Sequence, residues 1–273
     1  MRSFFGVEGE PTEREAERAA EMKDLIAEGL LAARAGMREE EAAALVDDTY
    51  GSRAMATLKA AGVRIAVPVE ASGRRELAFE HEDWRERLER IGPDWAKVLV
   101  RFNPEGDPTV NDRQVERLAE LAQYCESTMR PLMLELLVPP EPGQAGPDYD
   151  TQVRPGLVVR AIEAIREAQV TPSLWKIEGF ERRADHEAVA SVTGAPCVVL
   201  GRGQDADAVD RWLRAAAGVS AFAGFAIGRS IWWEPLRSYL EDPSPQSRRA
   251  AVDGIMGAYL RFTRVFTEAR GAA

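Results

Sequence analysis

Seven short runs rich in Val, Ile and Leu, set between longer segments with helical spacing, constrain what this chain of 273 residues can fold into. The runs are AALVDD (Ala43 to Asp48), RIAVPVE (Arg64 to Glu70), AKVLVRF (Ala96 to Phe102), PLMLELLV (Pro131 to Val138), SLWKIEG (Ser173 to Gly179), PCVVLGRG (Pro196 to Gly203) and FAGFAIGR (Phe222 to Arg229). Helices are predicted over Glu13 to Arg34, Val110 to Cys125, Pro155 to Ala168, Ala184 to Val192, Asp205 to Ala217 and Arg248 to Ala269. In the first of these Ala16, Ala19, Ala20, Leu25, Ile26, Leu30 and Leu31 recur at helical spacing amid charges, and Gly36 supplies a stop. Short apolar strands alternating with helices are βα units, whose strands pair in parallel and are covered on both faces.

Two architectures use such units. A doubly wound open sheet carries a Gly-rich phosphate fingerprint after an early strand, and this chain has none there. Its polar residues sit instead at the ends of late strands, as in a (β/α)8 barrel of the TIM type, which needs about 250 residues as one unit. The expectation is therefore an α/β fold with a single barrel domain over 1–273. The segment Pro139 to Thr151, rich in Pro, Gly and acid, is too long for a tight connection and reads as an active-site loop.

Asp and Glu outnumber Lys and Arg by 45 to 35, a formal net charge of -10, so the surface repels a polyanion and nucleic acid is not an expected partner. One phosphate on a small substrate is still compatible with a few convergent cations. The two cysteines, Cys125 and Cys197, form no Cys-x-x-Cys or Cys-His pattern and read as reduced, buried thiols. No stretch approaches about 18 consecutive apolar residues, and charges appear within the first dozen positions. The expectation is a cytoplasmic protein without a membrane segment.

Charges inside apolar strands are the informative feature, because a buried unpaired charge costs several kcal/mol and persists only with a partner or a task. Side chains alternate along a strand. In AKVLVRF, Lys97, Leu99 and Arg101 therefore share the inward face. The same rule turns Glu135 inward with Met133 and Leu137, and Lys176 and Glu178 inward with Leu174, leaving Trp175 and Ile177 toward the helices. One such charge is as well explained by an ion pair or a snorkelling side chain. Several on adjacent strands match the way barrel enzymes collect a site from strand ends.

The last two strands end in Gly201-Arg202-Gly203 and Gly228-Arg229-Ser230, arginines flanked by backbone donors that suit an anion. A phosphate site is expected there, with a turn and a solvated arginine as the alternative. The histidines, His81 and His186, lack a second histidine at ligand spacing, so no metal site is expected and both read as ordinary surface residues. No Gly-x-Ser-x-Gly or Cys-His arrangement supports acyl transfer. What remains is amine chemistry: a buried lysine beside a second cation can form a Schiff base with a ketone.

The motifs KVLVRFNPEGD, MLELLVPP, WKIEG, VVLGRG and GFAIGR together resemble the 2-deoxy-5-keto-gluconate 6-phosphate aldolase domain of inositol catabolism, which is often fused behind a sugar kinase. That domain is similar to the tagatose 1,6-bisphosphate and sulfosugar-phosphate aldolases, class I enzymes on a (β/α)8 barrel. The resemblance implies Lys176 as the Schiff-base lysine, Lys97 as a second active-site lysine and Glu135 as the catalytic carboxylate. It further implies Arg202, Gly203, Arg229 and Ser230 at the substrate phosphate, with Asp47 and Glu70 as polar residues at the ends of earlier strands, where turn-capping explains them equally well; the inward strand pattern adds Arg101 and Glu178 to the substrate site. No cofactor is implied.

Two departures stand out. Relatives begin with a strand ending in Asp-His-Arg-Gly-Ser, whereas this chain starts MRSFFGVEGEP, so the barrel is expected to lack its first strand, with that position vacant or taken by Met1 to Val7. Ala71 replaces a lysine that relatives carry after the glutamate. The implied activity is cleavage of a ketose-acid phosphate to dihydroxyacetone phosphate and malonate semialdehyde, which requires Glu178 either to be directed elsewhere, as toward Arg202, or to act only after the iminium has formed, so that it does not restore the charge of Lys176. The readings set beside it are a sugar-phosphate isomerase or epimerase with Glu135 as base, and a sugar-phosphate-binding protein with impaired catalysis. The partner implied is a phosphorylated sugar acid; a homo-oligomer or a sugar-kinase partner stays open.

Overall fold

The computed structural model describes residues 11–35, 37, 42–203 and 206–272. The chain divides into two compact units, one formed by Met1–Val67 with Gly228–Arg261 and the other by Pro68–Ile227 with Phe262–Ala273. Each of the seven apolar runs contains a parallel strand, and strand order follows chain order within each unit. The segment Met1 to Val7, considered for a first strand, lies outside the described residues.

In the first unit helix α1 (Glu13–Arg34) opens with a capping box, in which the Thr12 hydroxyl accepts the Glu15 N–H and the Glu15 carboxylate accepts the Thr12 N–H. Strands β1 (Ala43–Leu45) and β2 (Arg64–Pro68) pair in parallel with Leu45 opposite Ala66. Helix α2 (Asp48–Ala60) connects them. Its first turn explains why β1 is shorter than the run AALVDD: Asp47 turns out of the strand and caps the helix, accepting the Tyr50 N–H at 2.9 Å. Small residues, among them Gly51 and Ala54, form much of the buried face of α2, which blurred its apolar period in the sequence.

The second unit carries β3 (Trp95–Arg101), β4 (Leu132–Leu137), β5 (Leu174–Glu178), β6 (Cys197–Leu200) and β7 (Phe222–Ala226). Helices α3 (Trp84–Ile91), α4 (Pro108–Ser127), α5 (Arg154–Glu167), α6 (Arg183–Thr193) and α7 (Ala206–Ala217) accompany them. The remaining helices are α8 (Arg229–Glu241) and α9 (Pro245–Gly271). The residues that pattern assigned to the helix-facing side are fully buried: Val98, Val100, Trp175 and Ile177 have no exposed surface. Trp175 fixes its orientation by donating its indole N–H to the carbonyl of Thr193 at the end of α6. Lys176, one residue on, must then project from the opposite face.

Register does the rest. Leu99 lies opposite Glu135, and Glu135 opposite Lys176, while Lys97 lies opposite Met133, two residues earlier on the same face, so the chemistry of three adjacent strands falls within one turn of the pleat. Beyond β5 the chain passes so close to α7 that a Cβ on Gly179 would stand 2.6 Å from the Trp212 side chain. The glycine of WKIEG is thus a packing requirement. Gly179→Ala is expected to destabilise the protein by about 1–3 kcal/mol through overpacking, read as a lowered midpoint in urea with an unchanged slope.

Candidate active site

Glu135 is the hub of the row. Its Oε2 atom accepts from the Lys97 ammonium at 2.8 Å and stands 3.1 Å from the Lys176 nitrogen. Lys97 forms a second ion pair with Glu70, two residues past β2. All four groups are substantially withdrawn from water, and of the two lysines Lys176 is the more exposed, at 13% of its side chain against 4% for Lys97.

The environment separates the two amines. Burial pushes Lys176 below the ordinary lysine value, and the like charge of Lys97 pushes the same way, against the opposing pull of Glu135 and the smaller one of Glu70. Burial also penalises the charge on Lys97, but two carboxylates outweigh it and hold that amine above its ordinary value. Glu135 would be raised by burial alone; the two lysines hold it instead at about 2. The cluster therefore contains one lysine that holds its proton more firmly than usual, one that releases it more readily than usual, and an ionised carboxylate touching both.

A second charged network adjoins it at the end of β5. Glu178 pairs with Arg202 at 2.9 Å and accepts the Val138 N–H at 3.2 Å. Arg154, at the start of α5 and 1% exposed, lies 3.8 Å from Glu178, donates to the Gly179 carbonyl at 2.8 Å and stacks on Phe180. Asp150 joins the two arginines, at 2.8 Å from Arg154 and 2.7 Å from Arg202. It stands in a wide turn, Tyr149–Val153, that closes the loop predicted from Pro139 to Thr151. The Tyr149 hydroxyl pins the other end of that loop by donating to the Val138 carbonyl at 2.7 Å. Burial raises Glu178 above the ordinary carboxylate value in spite of its arginines.

The remaining expectations fall as follows. Arg202 and Gly203 form a left-handed turn after β6, with φ 51° and 74°, and the second position requires glycine. Arg101 leaves the lysine row and donates to the Arg74 carbonyl at 2.9 Å. Asp47 caps α2 and pairs with Lys23 in the first unit. Arg229 and Ser230 are the opening residues of α8, in the first unit, rather than the end of a strand. Glu70 serves as a counter-ion to Lys97.

One expectation is corrected: His186 is not a surface residue but completely buried. It accepts the Phe180 N–H through Nε2, with Nδ1 3.2 Å from the Arg182 carbonyl, and burial pushes it down to about 4. A neutral imidazole thereby fastens the start of α6 to the strand end. Cys125 and Cys197 are free and buried, as expected, and burial raises both thiols, to about 11 and about 12. Arg154 and Asp150 were missed by sequence reasoning. Their signal was a charge pair at i,i+4 straddling the end of a loop and the start of a helix. Among the described residues no helix is long and apolar enough to cross a membrane.

The chain belongs to the DUF2090 family, described as an uncharacterized protein conserved in bacteria, whose model matches residues 4–270. It is weakly homologous to tagatose 1,6-diphosphate aldolases of Streptococcus mutans. Aldolase 2 is 25% identical over 232 residues, covering 75% of this chain and 70% of that protein. Aldolase 1 is 24% identical over 256 residues, covering 84% and 76%. In fold the chain is similar to fructose-bisphosphate aldolase from Plasmodium falciparum, with TM-score 0.69 and 14% identity over 99% of this chain and 86% of that one. It is also similar to a Schiff base-forming fructose-1,6-bisphosphate aldolase, with TM-score 0.54 and 13% identity over 87% and 99%. The parallel strands and their covering helices thus match the fold of these aldolases, with seven strands among the described residues.

The depressed carboxylate gives a direct test. Because Glu135 sits at about 2 when folded and near 4.5 when exposed, its ionisation stabilises the protein above pH 4.5, and that stabilisation disappears as pH falls toward 2. Glu135→Gln is expected to be less stable at neutral pH. The gap from wild type, measured by urea unfolding, should close progressively between pH 4.5 and 2.

Proposed function

We propose that this chain is a class I aldolase, acting in the cytoplasm in inositol catabolism, that cleaves 2-deoxy-5-keto-gluconate 6-phosphate to dihydroxyacetone phosphate and malonate semialdehyde. The observation that carries the reading is Glu135 in contact with two amines of opposite protonation bias, Lys97 at 2.8 Å and Lys176 at 3.1 Å. The weak homology to tagatose 1,6-diphosphate aldolases supports the reaction class, and the five ordered motifs support the choice of substrate.

In this mechanism the neutral Lys176 amine attacks the substrate ketone to give a carbinolamine, and loss of water leaves a cationic iminium. Glu135 keeps an ion partner throughout, since Lys97 remains an ammonium ion beside it while the charge on the Lys176 nitrogen comes and goes. The hydroxyl on the carbon β to the iminium then yields its proton to the hydrogen-bonded pair of Glu135 and Lys97. The adjacent carbon–carbon bond breaks, releasing the aldehyde, and its electron pair flows into the iminium to form an enamine. Protonation at carbon and hydrolysis release the ketose phosphate and regenerate the amine. Arg202 and Gly203, at the end of β6, take the phosphate, which displaces the partly exposed Asp150 carboxylate from the guanidinium.

Incubation with dihydroxyacetone phosphate and borohydride, followed by peptide mass mapping, should place a reduced adduct on Lys176. Lys176→Met should lose both the adduct and substrate cleavage. Cleavage retained by Lys176→Met, or an adduct confined to Lys97, would contradict the assignment.

A further inference from the structure

Two lysines share one carboxylate in this site, and that alone does not decide which of them is the nucleophile. Glu135 touches both, at 2.8 and 3.1 Å, a difference too small to assign different roles. What breaks the symmetry is Glu70, which pairs with Lys97. Its second oxygen, Oε2, is buried without a hydrogen-bond partner among the described residues, so the hydrogen bonding of this carboxylate is directed to one amine. The backbone holds it in place. The Val69 N–H donates to the carbonyl of Lys97 itself at 2.9 Å, while Ala71 and Glu80 close a hairpin around residue 70 through bonds of 2.8 and 2.9 Å.

We propose that Glu70 is the positioning residue that selects the nucleophile: by giving Lys97 a second carboxylate it holds Lys97 as an ammonium ion and leaves Lys176, with one carboxylate, as the amine that gives up its proton first. Resting on the aldolase reading, this goes beyond it, because it assigns the choice between the lysines to a residue that need not touch the reacting atoms. The other charged groups around the pair do not supply the asymmetry. From β4 comes only the shared Glu135; on β5 itself Glu178 is engaged by Arg202 and Arg154; on β3 Arg101 is turned to the Arg74 carbonyl. The unequal response of the two amines to the same burial, Lys97 upward and Lys176 downward, agrees with this division.

The test compares wild type, Glu70→Gln and Glu70→Asp by reductive methylation with formaldehyde and cyanoborohydride across a pH series, each lysine read separately by peptide mass mapping. This readout requires no aldolase turnover. In wild type Lys176 should be labelled at lower pH than Lys97. Losing the carboxylate charge makes the Lys97 ammonium easier to deprotonate, so in Glu70→Gln its labelling onset should fall by about one pH unit or more, roughly a tenfold faster labelling at neutral pH. Glu70→Asp, which withdraws the carboxylate by one methylene, should give a smaller shift in the same direction. With dihydroxyacetone phosphate and borohydride, Glu70→Gln should then carry adduct on Lys97 as well as Lys176. If neither variant moves the Lys97 onset, the proposal is overturned whatever the fate of the aldolase reading. If the onsets move as stated but wild type forms no adduct with dihydroxyacetone phosphate, the aldolase reading fails and the role of Glu70 in setting the lysine order stands.

Discussion

A carboxylate taken out of water is tolerated only when its charge is answered, and in this protein Glu135 is answered twice, by Lys97 and by Lys176. That contact forces three strands into a fixed register, because a slip of one residue would turn a lysine or the glutamate into the apolar layer under the helices. It also explains why strands buried on both faces accept ionised residues at all. With Glu70 present the four groups balance only if both lysines are charged, yet burial works against that state at the more weakly partnered Lys176. The result is an amine that gives up its proton readily beside a cation that does not, which is the electrostatic arrangement that imine formation at neutral pH demands.

The second network isolates the first. Glu178 lies only two residues beyond Lys176 on the same face, where its carboxylate would otherwise favour the ammonium form. Arg202 and Arg154 engage it, and the Val138 N–H fixes its other oxygen. Arg154 is almost fully buried with Nε donating to Asp150, Nη2 donating to the Gly179 carbonyl and its plane resting on Phe180, while Nη1 faces Glu178 at 3.8 Å without a hydrogen bond among the described residues. Asp150 in turn anchors the end of the long loop after β4 to both arginines. The loop and the ends of β5 and β6 are thus held by one set of charge-assisted hydrogen bonds.

Much of this was legible in the sequence, for a physical reason. Strand periodicity is two, so a charged residue flanked by Trp175 and Ile177 has its direction fixed by its neighbours, and Lys176, Glu135 and Lys97 could be placed on one side before any coordinates. The pairing of Glu178 with Arg202 followed from the same electrostatics. Less legible was whatever depends on a partner distant in sequence. Arg154 reads as an ordinary residue at a helix start until Gly179 and Glu178 are brought to it, and His186 reads as exposed until Phe180 supplies its hydrogen bond. Asp47 illustrates a different ambiguity: the acid at a strand end suits a substrate contact or a helix cap, and here it caps α2. The helix α2 itself was hidden because small residues, not large apolar ones, make up much of its buried face.

The central claim is that the two lysines release their protons in a fixed order, Lys176 before Lys97, and it can be observed directly. In protein labelled with 15N at lysine side chains, assigned through Lys176→Met and Lys97→Met, the Nζ shifts distinguish ammonium from amine. The account predicts that on titration upward from neutral pH the Lys176 nitrogen converts to the amine well before ordinary lysines, which change near about 10.4, and that the Lys97 nitrogen converts after them. Both nitrogens remaining ammonium through that range, or Lys97 losing its proton first, would contradict it.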